Sequence, residues 1–147
     1  MKPADKETVT IETIIHASVD DVWKAWTFPA AILNWFGSDP NGKVLEASLD
    51  VIPGGNFEIT FKDGDETKHT CSGEYTTVEA FSKLSFSWEW KNEPGIMSFV
   101  TILFTPENNY TLMHFEHANL GYASKHNYLT GWQNTFLKLD KLLTKKI

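Results

Sequence analysis

The side chains best able to do chemistry gather near residue 115, where His114, Glu116 and His117 lie within one short stretch. On a β-strand successive side chains alternate between faces, so His114 and His117, three apart, point to opposite sides. They cannot share a metal ion without a bulge. A zinc site needs three or four ligands, and Cys71, the only thiol, adds little. No metal and no cofactor is expected. Cys71 has His69 two residues away on the same strand face, the spacing of a Cys–His nucleophile. Activating a thiol needs an electropositive setting, so an inert cysteine packed in a sheet is the simpler expectation. No nucleophile elbow, P-loop or dinucleotide fingerprint occurs, and no catalytic residue is assigned. Trp88 and Trp90, on one face of one strand, form either a stacking platform for a flat ligand or ordinary core and rim packing.

Composition narrows the class of ligand. All 13 basic residues are lysine, so no guanidinium fork exists to clamp a phosphate or carboxylate. The net charge of −6 repels polyanions, and nucleic acid is not an expected partner. The one basic cluster, Lys138, Lys141, Lys145 and Lys146, falls in the last turns of a helix, where lysines suit the macrodipole. A single cysteine excludes an internal disulfide and points to a reducing compartment. The first residues carry Asp5, Glu7 and Glu12 and no continuous apolar stretch, unlike a signal peptide. Apolar runs fall far short of the ~20 residues that span a bilayer. A cytoplasmic protein without a membrane partner is expected.

The elements that position these residues are legible from pattern. Val9, Ile11, Thr13 and Ile15 alternate in a strand over about 7–16. Ser18 caps a helix carrying Val22 and Trp26 on one face, and Pro29 ends it and opens a second short helix that stops at Gly37. Tight-turn pairs at Asn41-Gly42, Gly54-Gly55, Asp63-Gly64, Pro94-Gly95 and Asn108-Asn109 divide residues 43–117 into antiparallel strands. Phe57, Ile59 and Phe61 alternate with polar residues, as do Leu84, Phe86, Trp88 and Trp90. A long helix follows over about 123–145, with Leu129, Trp132, Phe136, Leu139 and Leu143 as its apolar stripe. Gly131 inside it is a tolerated glycine, a close backbone approach, or a gap kept open.

The order is β-α-α-β-β-β-β-β-β-α, an α+β chain forming a single domain over 1–147. A helix is only ~10–12 Å across, whereas seven strands at ~4.8 Å spacing are roughly 30 Å wide. The sheet must therefore curl around the helix. The chain holds ten Phe, six Trp and four Tyr. Phe57, Phe61, Phe86, Trp88, Phe99, Trp132 and Phe136 have periods compatible with the enclosed space, which they either plug or line as a pocket.

Several segments together resemble one known family. They are Val22-Trp23-Lys24-Ala25-Trp26 followed by Pro29, Asn34-Trp35-Phe36, Pro53-Gly54-Gly55-Asn56-Phe57, Gly73-Glu74-Tyr75, Lys83 to Trp88, Thr111 to His117, and Gly131-Trp132 with Leu139. Their order and spacing are similar to the activator of Hsp-90 ATPase homologue-like group. That group sits in the START/polyketide-cyclase-like (SRPBCC) superfamily. The resemblance implies a helix-grip fold, with about seven curved antiparallel strands around a long C-terminal helix and two short helices after the first strand. It also implies a cavity opening near Trp35 and Phe36, and a typical last-strand histidine at His117.

His117 shares its face with Thr111, Met113 and Phe115. It is a ligand anchor or general base, or a histidine hydrogen-bonded at a strand end. The last reading is preferred, because a binding site needs several convergent polar groups. The expected function is non-enzymatic binding of a small apolar or aromatic ligand in an internal cavity. Trp35, Phe36, Phe57, Phe86, Trp88, Phe99, Met113, His117, Trp132 and Phe136 are its candidate ligand-binding residues. The resemblance adds two alternatives, a modulator that partners an Hsp-90-type ATPase and a small cyclase- or hydrolase-type enzyme using His117.

Overall fold

A computed structural model describes residues 8–120 and 127–144. The expected helix start at 123–126, and Lys145 and Lys146 at its end, lie outside them. Strand β1 (Val9–Ile15) leads to helices α1 (Val19–Thr27) and α2 (Pro29–Ile32). Six strands follow: β2 (Lys43–Leu49), β3 (Asn56–Lys62), β4 (Lys68–Glu79), β5 (Lys83–Trp90), β6 (Met97–Pro106) and β7 (Thr111–Ala118). Helix α3 (Tyr128–Thr144) closes the described chain. All seven strands form one antiparallel sheet in the order β1-β7-β6-β5-β4-β3-β2. The expected α+β helix-grip architecture is therefore present, strand for strand. Among the described residues no helix is long and apolar enough to cross a membrane.

Local chemistry explains the entry to the fold. Ser18 Oγ accepts the Asp21 N–H at 3.3 Å and caps α1. Phe28 ends α1 and begins α2, with Pro29 as the first helical residue. The two helices carry the chain from one sheet edge, β1, to the other, β2. Beyond α2, the Trp35 indole donates to Ala25 O at 3.0 Å and ties the segment back onto α1.

Curvature comes from irregularities in the ladders. The register shifts between Val44 and Glu46 in β2, and between Tyr75 and Thr77 in β4. Gly73 lies so close to β5 that a Cβ there would sit 1.9 Å from Ser87 O and 2.8 Å from the Phe57 ring. Only glycine fits that approach. The β4–β5 turn has no Gly, Pro or Asn, and Phe81 takes φ +67° there while its ring packs 6.0 Å from Trp23. Turn chemistry gives no warning of this position, because a bulky residue rarely adopts positive φ.

The concave face of the sheet grips α3 through Trp132, Thr135, Phe136, Leu139 and Leu143, all buried. Leu129, expected in this stripe, is instead 45% exposed. The first turn of α3 meets the sheet through Tyr128, four residues before Trp132, which rotates Leu129 to the outside. Around this interface the aromatic rings pack at tilted to edge-on angles, with Trp26 edge-on to Trp35 at 4.8 Å and Phe115 tilted by 50° against Trp132 at 4.6 Å.

Candidate functional site

Where the first turns of α3 pass the ends of β3, β4 and β5, the grip is incomplete. A cleft of about 190 Å³ remains there. Phe61, Trp88, Trp90 and Trp132 supply its apolar surface, and Phe36, Gly37 and Ser38 close one side. Gly131 faces this space. A Cβ on it would meet nothing nearer than Ser38 Cβ at 3.6 Å, so the glycine keeps a gap open and answers no close backbone approach.

The polar groups of the cleft are mostly engaged with each other. His69 Nε2 lies 2.8 Å from Asp63 Oδ2. The Trp90 indole donates to the Tyr128 hydroxyl at 2.8 Å, and the Thr135 hydroxyl donates to Gly131 O at 2.7 Å. The rim is held by Asp39, whose carboxylate accepts the Asn41 and Gly64 N–H groups at 2.9 and 2.8 Å. These backbone bonds hold its carboxyl below the usual range. Lys138 donates to Asp39 O at 3.1 Å, and partial burial lowers the pKa of its ammonium.

Deeper in, the helix–sheet space is filled. A void of about 20 Å³ lies behind Phe36 and Trp88, bounded also by Trp26, Phe57, Tyr75 and Phe86. That is room for about one water-sized atom. The aromatic residues thus plug the interior, and the larger space sits at its mouth.

His117 is wholly buried beside this site. The Trp132 indole donates to Nδ1 at 3.0 Å, so Nδ1 must carry a lone pair and the proton resides on Nε2. Nε2 then donates to Ser98 Oγ at 2.7 Å. Burial pushes its pKa down to about 3. This is a neutral imidazole with both nitrogens occupied, the hydrogen-bonded arrangement preferred on sequence grounds. Acting as a base would require breaking the bond from Trp132. His114 faces outward, with Nδ1 at 3.0 Å from Glu12 Oε2. Cys71 is fully buried, and burial pushes its thiol pKa far upward, so it holds no reactive thiolate.

The ten expected ligand-binding residues divide into groups. Phe36, Trp88 and Trp132 line the cleft, while Phe57 and Phe86 line the inner void with Phe36 and Trp88. Met113, Phe136 and His117 lie in the packed core. Two residues are corrected. Phe99 is 46% exposed on the convex face, because β6 turns Ser98, Val100 and Ile102 inward and its odd positions outward. Trp35, expected near the cavity opening, is 1% exposed and hydrogen-bonded to Ala25 O. Alternation marks Phe61 and Trp90 as inward-facing, but their place at the mouth follows only from where α3 crosses. Asp63, His69 and Tyr128 come from three separate segments, and no local motif marks them as a group.

Comparisons with known proteins agree on the fold. A family model described as Activator of Hsp90 ATPase homolog 1-like protein matches residues 16–144. The crystal structure of protein NE0264 from Nitrosomonas europaea superposes with a TM-score of 0.83 at 20% identity, covering 96% of each chain. The solution structure of an AHSA1-like protein from Aeromonas hydrophila gives 0.80 at 21% identity, over 95% of this chain and 93% of that one. CalU16 from Micromonospora echinospora gives 0.71 at 26% identity, over 93% and 76%. No curated protein matches the chain.

Proposed function

The chain belongs to the Activator of Hsp90 ATPase homolog 1-like family, and from that premise we propose that it is a non-enzymatic binding domain for a small, flat, apolar ligand. The observation that carries this reading is the cleft of about 190 Å³ walled by Phe61, Trp88, Trp90 and Trp132. Its volume is below the ~300 Å³ at which drug-sized sites begin, so the ligand has one or two fused rings. Stacking on the indoles supplies affinity. With no arginine in the chain and Asp63 at the rim, a negatively charged ligand is disfavoured.

The test is titration of ¹⁵N-labelled protein with 1-ethylnaphthalene, an uncharged two-ring probe. Saturable shifts should cluster at Phe36, Trp88, Trp90 and Tyr128, and Gly131→Phe, which fills the cleft, should abolish them. Unsaturable or scattered shifts would end this reading. A second reading, modulation of an Hsp90-type ATPase, is favoured by the description of the family. It predicts a change in ATP turnover of such a chaperone on adding the protein. Turnover unchanged at saturation would dismiss it.

A further inference from the structure

Two indole N–H groups in the core have no acceptor among the described residues, those of Trp26 and Trp88. Both side chains are 3% exposed, so water cannot serve them from outside. Three other indoles in this core do have partners: Trp35 on Ala25 O, Trp90 on Tyr128 Oη and Trp132 on His117 Nδ1. An unmet buried donor bears its full desolvation penalty, so two of them beside one space call for a shared explanation. Trp26 and Trp88 line the same inner void of about 20 Å³. Its other walls are chiefly hydrocarbon, from Ile32, Leu49, Phe57 and Ile59. Phe36 and Trp88 also line the outer cleft, so they form the common wall between the two spaces. Their ring centroids are 6.1 Å apart.

We propose that the inner void is a seat for one neutral hydrogen-bond acceptor atom, the carbonyl or ether oxygen of the molecule that occupies the cleft. This rests on the binding reading above and specifies its ligand class. The oxygen enters between Phe36 and Trp88 and accepts from both indoles. A carbonyl oxygen has two lone pairs and no proton to place, which matches two donors in a hydrocarbon wall. A water molecule brings two O–H groups of its own, for which the void offers at most the Tyr75 hydroxyl. A carboxylate would be desolvated with no cation among the lining residues. A ligand donor would face donors.

The experiment compares 1-acetonaphthone with 1-ethylnaphthalene, near-isosteres that differ in the carbonyl. Both are titrated into ¹⁵N-labelled protein whose indole signals are assigned by single Trp→Phe variants. The ketone should bind about tenfold more tightly, and only the ketone should move the Trp26 and Trp88 indole protons downfield. Trp88→Phe should erase most of that preference. Trp26→Phe provides the same comparison if Trp88→Phe does not fold. Equal affinity for the two probes overturns the acceptor seat and leaves the binding reading standing, as does a preference that survives both variants. Saturable binding of neither probe overturns both.

Discussion

Burial of a neutral His117 should make the stability of this domain fall as acid is added, and the size of the effect can be worked out. In the unfolded chain the imidazole titrates near 6.5, whereas in the fold burial lowers its pKa to about 3. Between those values the unfolded state binds the proton and the folded state does not. The His117 contribution to stability is therefore complete above pH 6.5 and is lost as pH falls toward 3. Fully expressed, the gap is worth about 5 kcal/mol, and at pH 5 about 2 kcal/mol of it is gone. The geometry gives the same sign. A proton on Nδ1 would turn the acceptor of the Trp132 N–H into a second donor facing it. Urea unfolding of the wild type and of His117→Gln at pH 8, 6 and 5 isolates the effect, because all other titrations cancel in the difference. The wild-type advantage over the variant should shrink by about 2 kcal/mol between pH 8 and pH 5. Parallel pH profiles would refute the assignment of His117 as a buried neutral imidazole.

Gly131→Ala should raise stability by about 1 kcal/mol, read as a higher Tm, since alanine favours the helix and the new Cβ meets only Ser38 at ordinary contact distance. Cys71 should be silent toward a thiol reagent in the native protein and react at the rate of global opening, measured by stopped unfolding in urea. Phe99→Ser on the convex face, where about half of the residue is exposed, should cost only about 1 kcal/mol, whereas Met113→Ala in the core should cost about 2–5 kcal/mol by the same denaturation assay.

The candidate site was less legible than the fold, and particular residues say why. Alternation in β5 marks Trp88 and Trp90 as inward, and a single inward strand face suffices for that conclusion. Phe99 fails the same style of reasoning because β6 carries apolar residues at both odd and even positions, so period alone does not choose its face. Pairing chooses it: Val100 lies opposite Phe86 and His117, which are already committed to the inside. Leu129 fits a helical stripe, yet Tyr128 and Trp132 are the residues that face the sheet in the first turns of α3, and this leaves Leu129 outside.

Strand and helix identity, their order and the need for a curved sheet follow from the sequence alone, because side-chain periodicity, turn residues and the widths of helix and sheet are local or additive properties. The choice between a plugged and an open interior is different. It depends on whether rings from α1, α3 and four strands interdigitate, and each ring's position is set by neighbours distant in sequence. Only the tertiary structure could decide that the aromatics fill the middle and leave a cleft at the mouth. It also decided the tautomer of His117, since that rests on a hydrogen bond donated by Trp132 from another element, and it singled out Trp26 and Trp88 as the indoles without an acceptor among the described residues.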